Sequence, residues 1–212
     1  MTDDEPLLQP RELDRLTGNE ALGPGRVIDF WRWALGDLRM NNTRGHLAEY
    51  LVARAVDDTR HGRIEWDAYD VVAADGTRIE VKATGRLQSW ASRKPSPVSW
   101  KFPNAAADEV WSHDEAAYVP VDPAERLDVW VFALHTATDP EAYDPLDLTQ
   151  WEFRVLPHRT LLATGQKSAA LSTIERLGGH PVPVQDLAAA VTAARAENDA
   201  TEPSTTPDPP RR

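Results

Sequence analysis

Glu80 and Lys82 stand two apart in the run Arg78-Ile79-Glu80-Val81-Lys82-Ala83, and Asp70 closes the run Trp66-Asp67-Ala68-Tyr69-Asp70 just before Val71-Val72. Between them lies Ala73-Ala74-Asp75-Gly76-Thr77. An Asp-Gly pair flanked by β-rich runs is a strong hairpin signal. In the second run Ile79 and Val81 alternate with Glu80 and Lys82. A period of two puts the apolar pair on one face and the charged pair on the other. Carboxylates and an ammonium gathered at one place repel or desolvate one another, and a divalent cation would offset that.

The loop length decides which carboxylate takes part. A three-residue loop Ala74-Asp75-Gly76, with Gly76 left-handed, pairs Ala73 with Thr77 and Val71 with Ile79, and sets Asp70 opposite Glu80. Their Cβ atoms would then be roughly 5 Å apart. Two carboxylates that close raise a pKa unless a cation sits between them. A two-residue loop Asp75-Gly76 instead sets Tyr69 opposite Lys82 and makes Asp67 the competing ligand. The first register is preferred, because it also joins Val71 to Ile79 on the apolar face.

The elements that must position these groups come next. Arg44 to Val56 has apolar residues on nearly every side (Leu47, Tyr50, Leu51, Val52, Ala53, Ala55, Val56), which predicts a helix buried on most faces, with an N-cap at Asn42 or Thr43. Glu49 on that helix needs a partner. A salt bridge to Arg44 or Arg54, or an exposed edge position, is the plain reading; a ligand or orienter of a metal or water at the hairpin is the functional one. Val27 to Leu38 has helical spacing at Ile28, Trp31, Ala34, Leu35 and Leu38 and is expected to pack on the core, with base stacking by Trp31 or Trp33 as the alternative. Arg126 to Leu134 reads as the best buried strand, and Trp151 to Leu156 as an alternating one. Asp144 to Leu148 reads as a capped helical turn, and Pro157 to Leu162, ended by Gly165, as a helix. Leu171 to Leu177 and Pro183 to Ala194 also read as helices.

Downstream of Lys82 lies a basic stretch. Arg86, Arg93, Lys94 and Lys101, with Arg78 before them, are interleaved with Trp90 and Trp100, a combination that suits a phosphate backbone and a stacked base. A solvated loop over two core tryptophans is the competing reading.

A chain of 212 residues with 41% hydrophobic residues suffices for one domain with a real core. Residues 1–24 read as a mobile or loosely docked segment, 25–196 as the domain, and 197–212 as a disordered tail. No cysteine is present, which removes disulfides, thiolate zinc sites and thiol nucleophiles. The six histidines (His46, His61, His113, His135, His158, His180) show no paired metal spacing and read as surface or core residues. No Gly-x-Ser-x-Gly elbow or phosphate-cradling glycine loop occurs. No apolar run reaches membrane-span length and the N-terminus lacks a basic-then-apolar signal, so a cytoplasmic protein without membrane contact is expected. The net charge of -11 argues against a generic nucleic-acid coat.

A helix with Glu49, a strand with Asp70 and a strand with Glu80-Val81-Lys82 resemble the PD-(D/E)xK nuclease superfamily. The likeness is carried mainly by Arg44 to Trp90. Gln88 matches a polar residue that several branches carry there, while Tyr69 stands where the motif's proline would be. Asp144-Pro-Leu-Asp-Leu-Thr-Gln-Trp-Glu-Phe153 and Gln166-Lys-Ser resemble uncharacterised bacterial proteins of this type. The resemblance implies an α/β fold with a restriction-endonuclease-like mixed central sheet flanked by helices. It implies an Mg²⁺- or Mn²⁺-dependent endodeoxyribonuclease with DNA as substrate, in restriction or phage defence. Asp70 and Glu80 would hold the metal with the Val81 carbonyl as a further ligand; Glu49, Lys82 and Gln88 would complete the catalytic set. Arg86 and Gln88 would hold the phosphate, and Trp90, Arg93, Lys94 and Lys101 would contact nucleic acid. A non-cleaving nucleic-acid- or partner-binding module on the same fold is the alternative. The acidic balance and the short length favour a recognition or regulatory protein, or a homodimer, over a lone site-specific enzyme.

Overall fold

The computed structural model describes residues 25–58, 63, 67–88 and 95–200. Residues 1–24, the 201–212 part of the expected tail, and Trp90, Arg93 and Lys94 of the basic stretch lie outside the described residues.

The chain is mixed α/β around a mixed four-stranded sheet in the order β1-β2-β6-β7. These strands are β1 (Val71–Val72), β2 (Arg78–Gly85), β6 (Val129–His135) and β7 (Trp151–Pro157). Between β2 and β6 the chain forms β3 (Ser99–Lys101), β4 (Glu109–Ser112) and β5 (Ala117–Pro120). β4 pairs with β5 in a separate hairpin, and β3 pairs with β8 (Ser168–Ala170) in another small sheet. None of β3, β4, β5 and β8 is anticipated from the sequence.

The seven residues of β6 are buried at every position, as its continuous apolar run predicts. It runs parallel to β2 and antiparallel to β7. Alternation along these strands divides the core in two. Ile79, Val81, Val129 and Val131 face Ala48, Leu51 and Val52 of α2 (Asn41–Ala55) and Leu187 and Val191 of α5 (Leu187–Ala200). Trp130, Phe132 and Leu134 face the other way, against Trp100, Phe102, Leu161 and Ile174. Full burial of each large side chain is worth roughly 1.5–3 kcal/mol. Glu80 lies in register with Trp130, and Lys82 with Phe132, so the charged pair stands beside the aromatic face.

Several expectations need correction. α2 is not ringed by burial: Tyr50 is 57% exposed and Arg54 is exposed, so one apolar face carries the packing. Its N-cap is Met40, not Asn42 or Thr43: the helix already begins at Asn41, and Arg44 N donates to Met40 O at 2.8 Å. α1 (Val27–Leu35) forms but buries no residue, and Trp33 is 85% exposed. Its apolar spacing is genuine, yet only Val27, Ile28 and Ala34 are half-buried. The turn near Asp144 is displaced: a 3-10 turn at Leu148–Gln150 is capped by Asp147, which accepts from Thr149 N. α3 (His158–Leu162) ends before Gly165, whose φ of 63° suits glycine, and α4 (Leu171–Arg176) follows. α5 runs on to Ala200, so residues 197–200 are helical rather than disordered. Buried Asn198 accepts there from Arg159 N at 2.9 Å. Among the described residues no helix is long and apolar enough to cross a membrane.

Candidate functional site

The hairpin takes the three-residue register. Gly76 has φ 85° and its N–H donates to the Ala73 carbonyl, while Ala73 N donates to Thr77 O. Asp75 stiffens the turn by accepting from Thr77 N and Oγ1 at 3.0 and 2.6 Å. Val71 pairs with Ile79. Asp70, not Asp67, therefore arrives at the charged face; the Asp67 carboxylate accepts from the adjacent Ala68 N.

Asp70 Oδ2 accepts from Val81 N at 2.8 Å and lies 3.8 Å from Lys82 Nζ. Glu80 Oε1 lies 2.6 Å from the same ammonium. Two carboxylates and the lysine thus meet, as the alternation predicts. The backbone bonds fix which edge Val81 presents to Asp70. Asp70 N donates to Ile79 O, and Val81 N donates to the Asp70 carboxylate. Alternate residues of a strand turn their polar groups to the same edge, so the Val81 carbonyl faces the Asp70 side.

Glu49 projects from α2 with its side chain 16% exposed, and Arg63 Nε donates to its Oε2 at 2.7 Å. The partner is thus neither Arg44 nor Arg54. Burial first, then the charge of Asp70, pushes the Glu49 carboxyl above the usual glutamate range; Arg63 and His46 oppose this. Glu80 is pushed up by the same two causes in the same order, against Lys82 and Arg126. Burial pulls Lys82 down, but Glu80, Asp70 and Glu49 together hold it above the ordinary lysine value. Glu49 and Asp70 also line a pocket of about 860 Å³ with His46, Tyr50, Arg54 and Arg63.

Other expected residues fall elsewhere. Gln88 is engaged with the fold: its amide donates to Gly85 O at 2.8 Å and accepts from Arg44 Nη2 at 2.9 Å. Arg86 is fixed through its backbone, donating to His135 O and accepting from Ser96 N. Lys101 is exposed on β3, opposite Ser168. Trp100 is a core residue whose indole donates to Ala133 O at 3.1 Å, and Arg78 is bound to Asp128. Of the described residues of the basic stretch, Lys101 alone is exposed, and Arg78 is held by Asp128.

Two residues of the site are missed by sequence reasoning. Arg63 sits in a connecting segment with no periodic signal. Arg126 precedes β6 and comes near Glu80 because β6 lies parallel to β2, a pairing that local patterns do not encode.

Among the described residues no group of three or more His, Asp or Glu side chains is arranged to hold a metal ion. Glu49 is turned to Arg63, and the Lys82 ammonium lies near both Asp70 and Glu80. The donor chemistry nevertheless fits a hard cation: two carboxylates reach one positive centre, and a backbone carbonyl faces the same edge. No protein-family model matches the chain, and comparison with curated proteins finds no match.

Proposed function

We propose that the chain is a metal-dependent nuclease hydrolysing DNA phosphodiester bonds, on a restriction-endonuclease-like sheet, acting in the cytoplasm in restriction or phage defence. One observation carries the reading. Lys82 Nζ lies 2.6 Å from Glu80 Oε1 and 3.8 Å from Asp70 Oδ2, so Asp, Glu and Lys share one point although the chain separates Asp70 from the other two.

Asp70 and Glu80 would hold Mg²⁺ or Mn²⁺, with the Val81 carbonyl as third donor. A bound ion of this kind polarises the scissile phosphate and acidifies water. Lys82, released from Glu80, would offset charge developing on the phosphate. Glu49 would orient the water, and the adjoining pocket would admit the strand. The net charge of -11 favours DNA contacts supplied in part by a partner protein or a second copy.

A non-cleaving module is the second reading, and the bonding of Glu80 favours it: one oxygen meets Lys82 and the other approaches Arg126. Incubating plasmid DNA with the protein or a Lys82→Ala variant, in Mg²⁺ or Mn²⁺, separates the two. Cleavage abolished by the substitution supports the nuclease. No cleavage by either, with DNA binding retained, supports the module. Cleavage only on adding a co-encoded protein supports a partner-dependent nuclease.

A further inference from the structure

Arg126 has 7% of its side chain exposed. Its Nη1 donates to the Ala68 carbonyl at 2.7 Å and lies 3.8 Å from Glu80 Oε2. Among the described residues, its Nε and Nη2 are buried with no hydrogen-bond partner. A buried guanidinium with most of its donors unmet is a costly way to fill space. An apolar side chain of similar volume would serve folding at least as well. The arginine does, however, have a geometric effect. Ala68 belongs to the segment that delivers Asp70, and Glu80 belongs to β2, so one enclosed group spans both halves of the acidic pair. Glu80 thereby faces two cations of unequal freedom. Lys82 is 29% exposed and has room to swing away; Arg126 has none.

We infer that Arg126 is a positioning residue for a divalent-cation site: it steadies Glu80 through Oε2 and the Asp70 segment through the Ala68 carbonyl, leaving Glu80 Oε1 to pass from Lys82 to the cation. The inference rests on the metal-dependent reading above. Two consequences separate it from a purely structural role. Removing the guanidinium lowers metal affinity without a matching loss of folding, and restoring the charge restores part of that affinity.

The test is Mn²⁺ calorimetry on the full chain, for the wild type, Arg126→Met and Arg126→Lys, with the metal-free melting temperature of each. Arg126→Met is expected to bind Mn²⁺ about 10- to 100-fold more weakly, as when a group that orients a ligand is lost. It is expected to melt within about 5 °C of the wild type. Arg126→Lys recovers part of the affinity. Wild-type affinity in Arg126→Met overturns the inference. So does a loss of affinity that only follows loss of folded protein and is not rescued by Arg126→Lys. If the wild type binds no Mn²⁺, the metal reading falls and takes this inference with it.

Discussion

Lys82 and Glu80 lie two apart on one strand, and their charged ends meet at 2.6 Å beside the aromatic face lined by Trp130 and Phe132. Burial there opposes both charges, yet the carboxylates around Lys82 hold it above the ordinary lysine value. In the proposed reaction it would supply a positive charge beside the phosphate.

Lys82→Ala is therefore expected to separate binding from chemistry. Plasmid cleavage should fall by about 10²- to 10³-fold, the range for removing one preorganised charge from a transition state. Mn²⁺ binding should persist or tighten, because the ammonium no longer competes for Glu80. Gel assays and calorimetry on the same preparations check both.

Arg63→Ala addresses Glu49. Burial and Asp70 push that carboxyl up, and Arg63 is the hydrogen-bonded group that opposes them. Without Arg63 the carboxyl rises further and stays protonated to higher pH. The acid limb of the cleavage-versus-pH profile is expected to move upward in the variant; an unmoved limb would leave Glu49 outside the reaction.

Asp128 gives a stability prediction. It is 3% exposed and accepts from Arg78 N, Nε and Nη2, and Arg195 Nη1 lies 2.9 Å from its Oδ2. Burial would raise its carboxyl, but the Arg78 hydrogen bonds and the two guanidinium charges win and hold it below the usual aspartate value of 3.8. A lowered folded pKa contributes stability that is complete above pH 3.8 and is lost as pH falls through the folded value. Asp128→Asn should remove that acid dependence. It should cost about 2–3 kcal/mol at pH 7, below the figure for a wholly buried pair, since both arginines are a third exposed. Urea unfolding at pH 7 and pH 3 measures both.

Gln88→Ala is expected to act on the fold. It strips an acceptor from Arg44, which is 2% exposed, and costs about 1–2 kcal/mol. Gly85→Ala should act on the same contact, since a Cβ there meets Arg44 Nη1 at 3.1 Å and Leu87 O at 3.3 Å. Both variants should lower the urea midpoint while cleavage per folded molecule stays near the wild type. A large fall in cleavage by Gln88→Ala at unchanged stability would return Gln88 to the reaction.

Much of the hairpin was legible in the sequence, because Gly76 and the Val71–Ile79 match are local facts and parity converts them into the side on which Asp70 falls. β6 was legible for a similar reason, as a run of apolar residues too continuous for a half-exposed strand. The expected packing of α1 fails because spacing says which residues share a stripe, not whether anything lies against it. Sequence alone offers Gln88 to a phosphate, because nothing nearby announces Arg44 as its partner. In the sequence Arg126 reads only as the start of a strand, since the pairing of β6 with β2 is a tertiary fact.

Asp70 does more than carry charge. Among the described residues β1 pairs with β2 only at Val71 and Val72, and beyond them the Asp70 carboxylate takes the Val81 N–H. It blunts a strip of backbone that would otherwise be an open invitation to another strand. Truncating it to alanine uncovers that rung and favours concentration-dependent self-association, whereas asparagine keeps an acceptor there and leaves the margin closed.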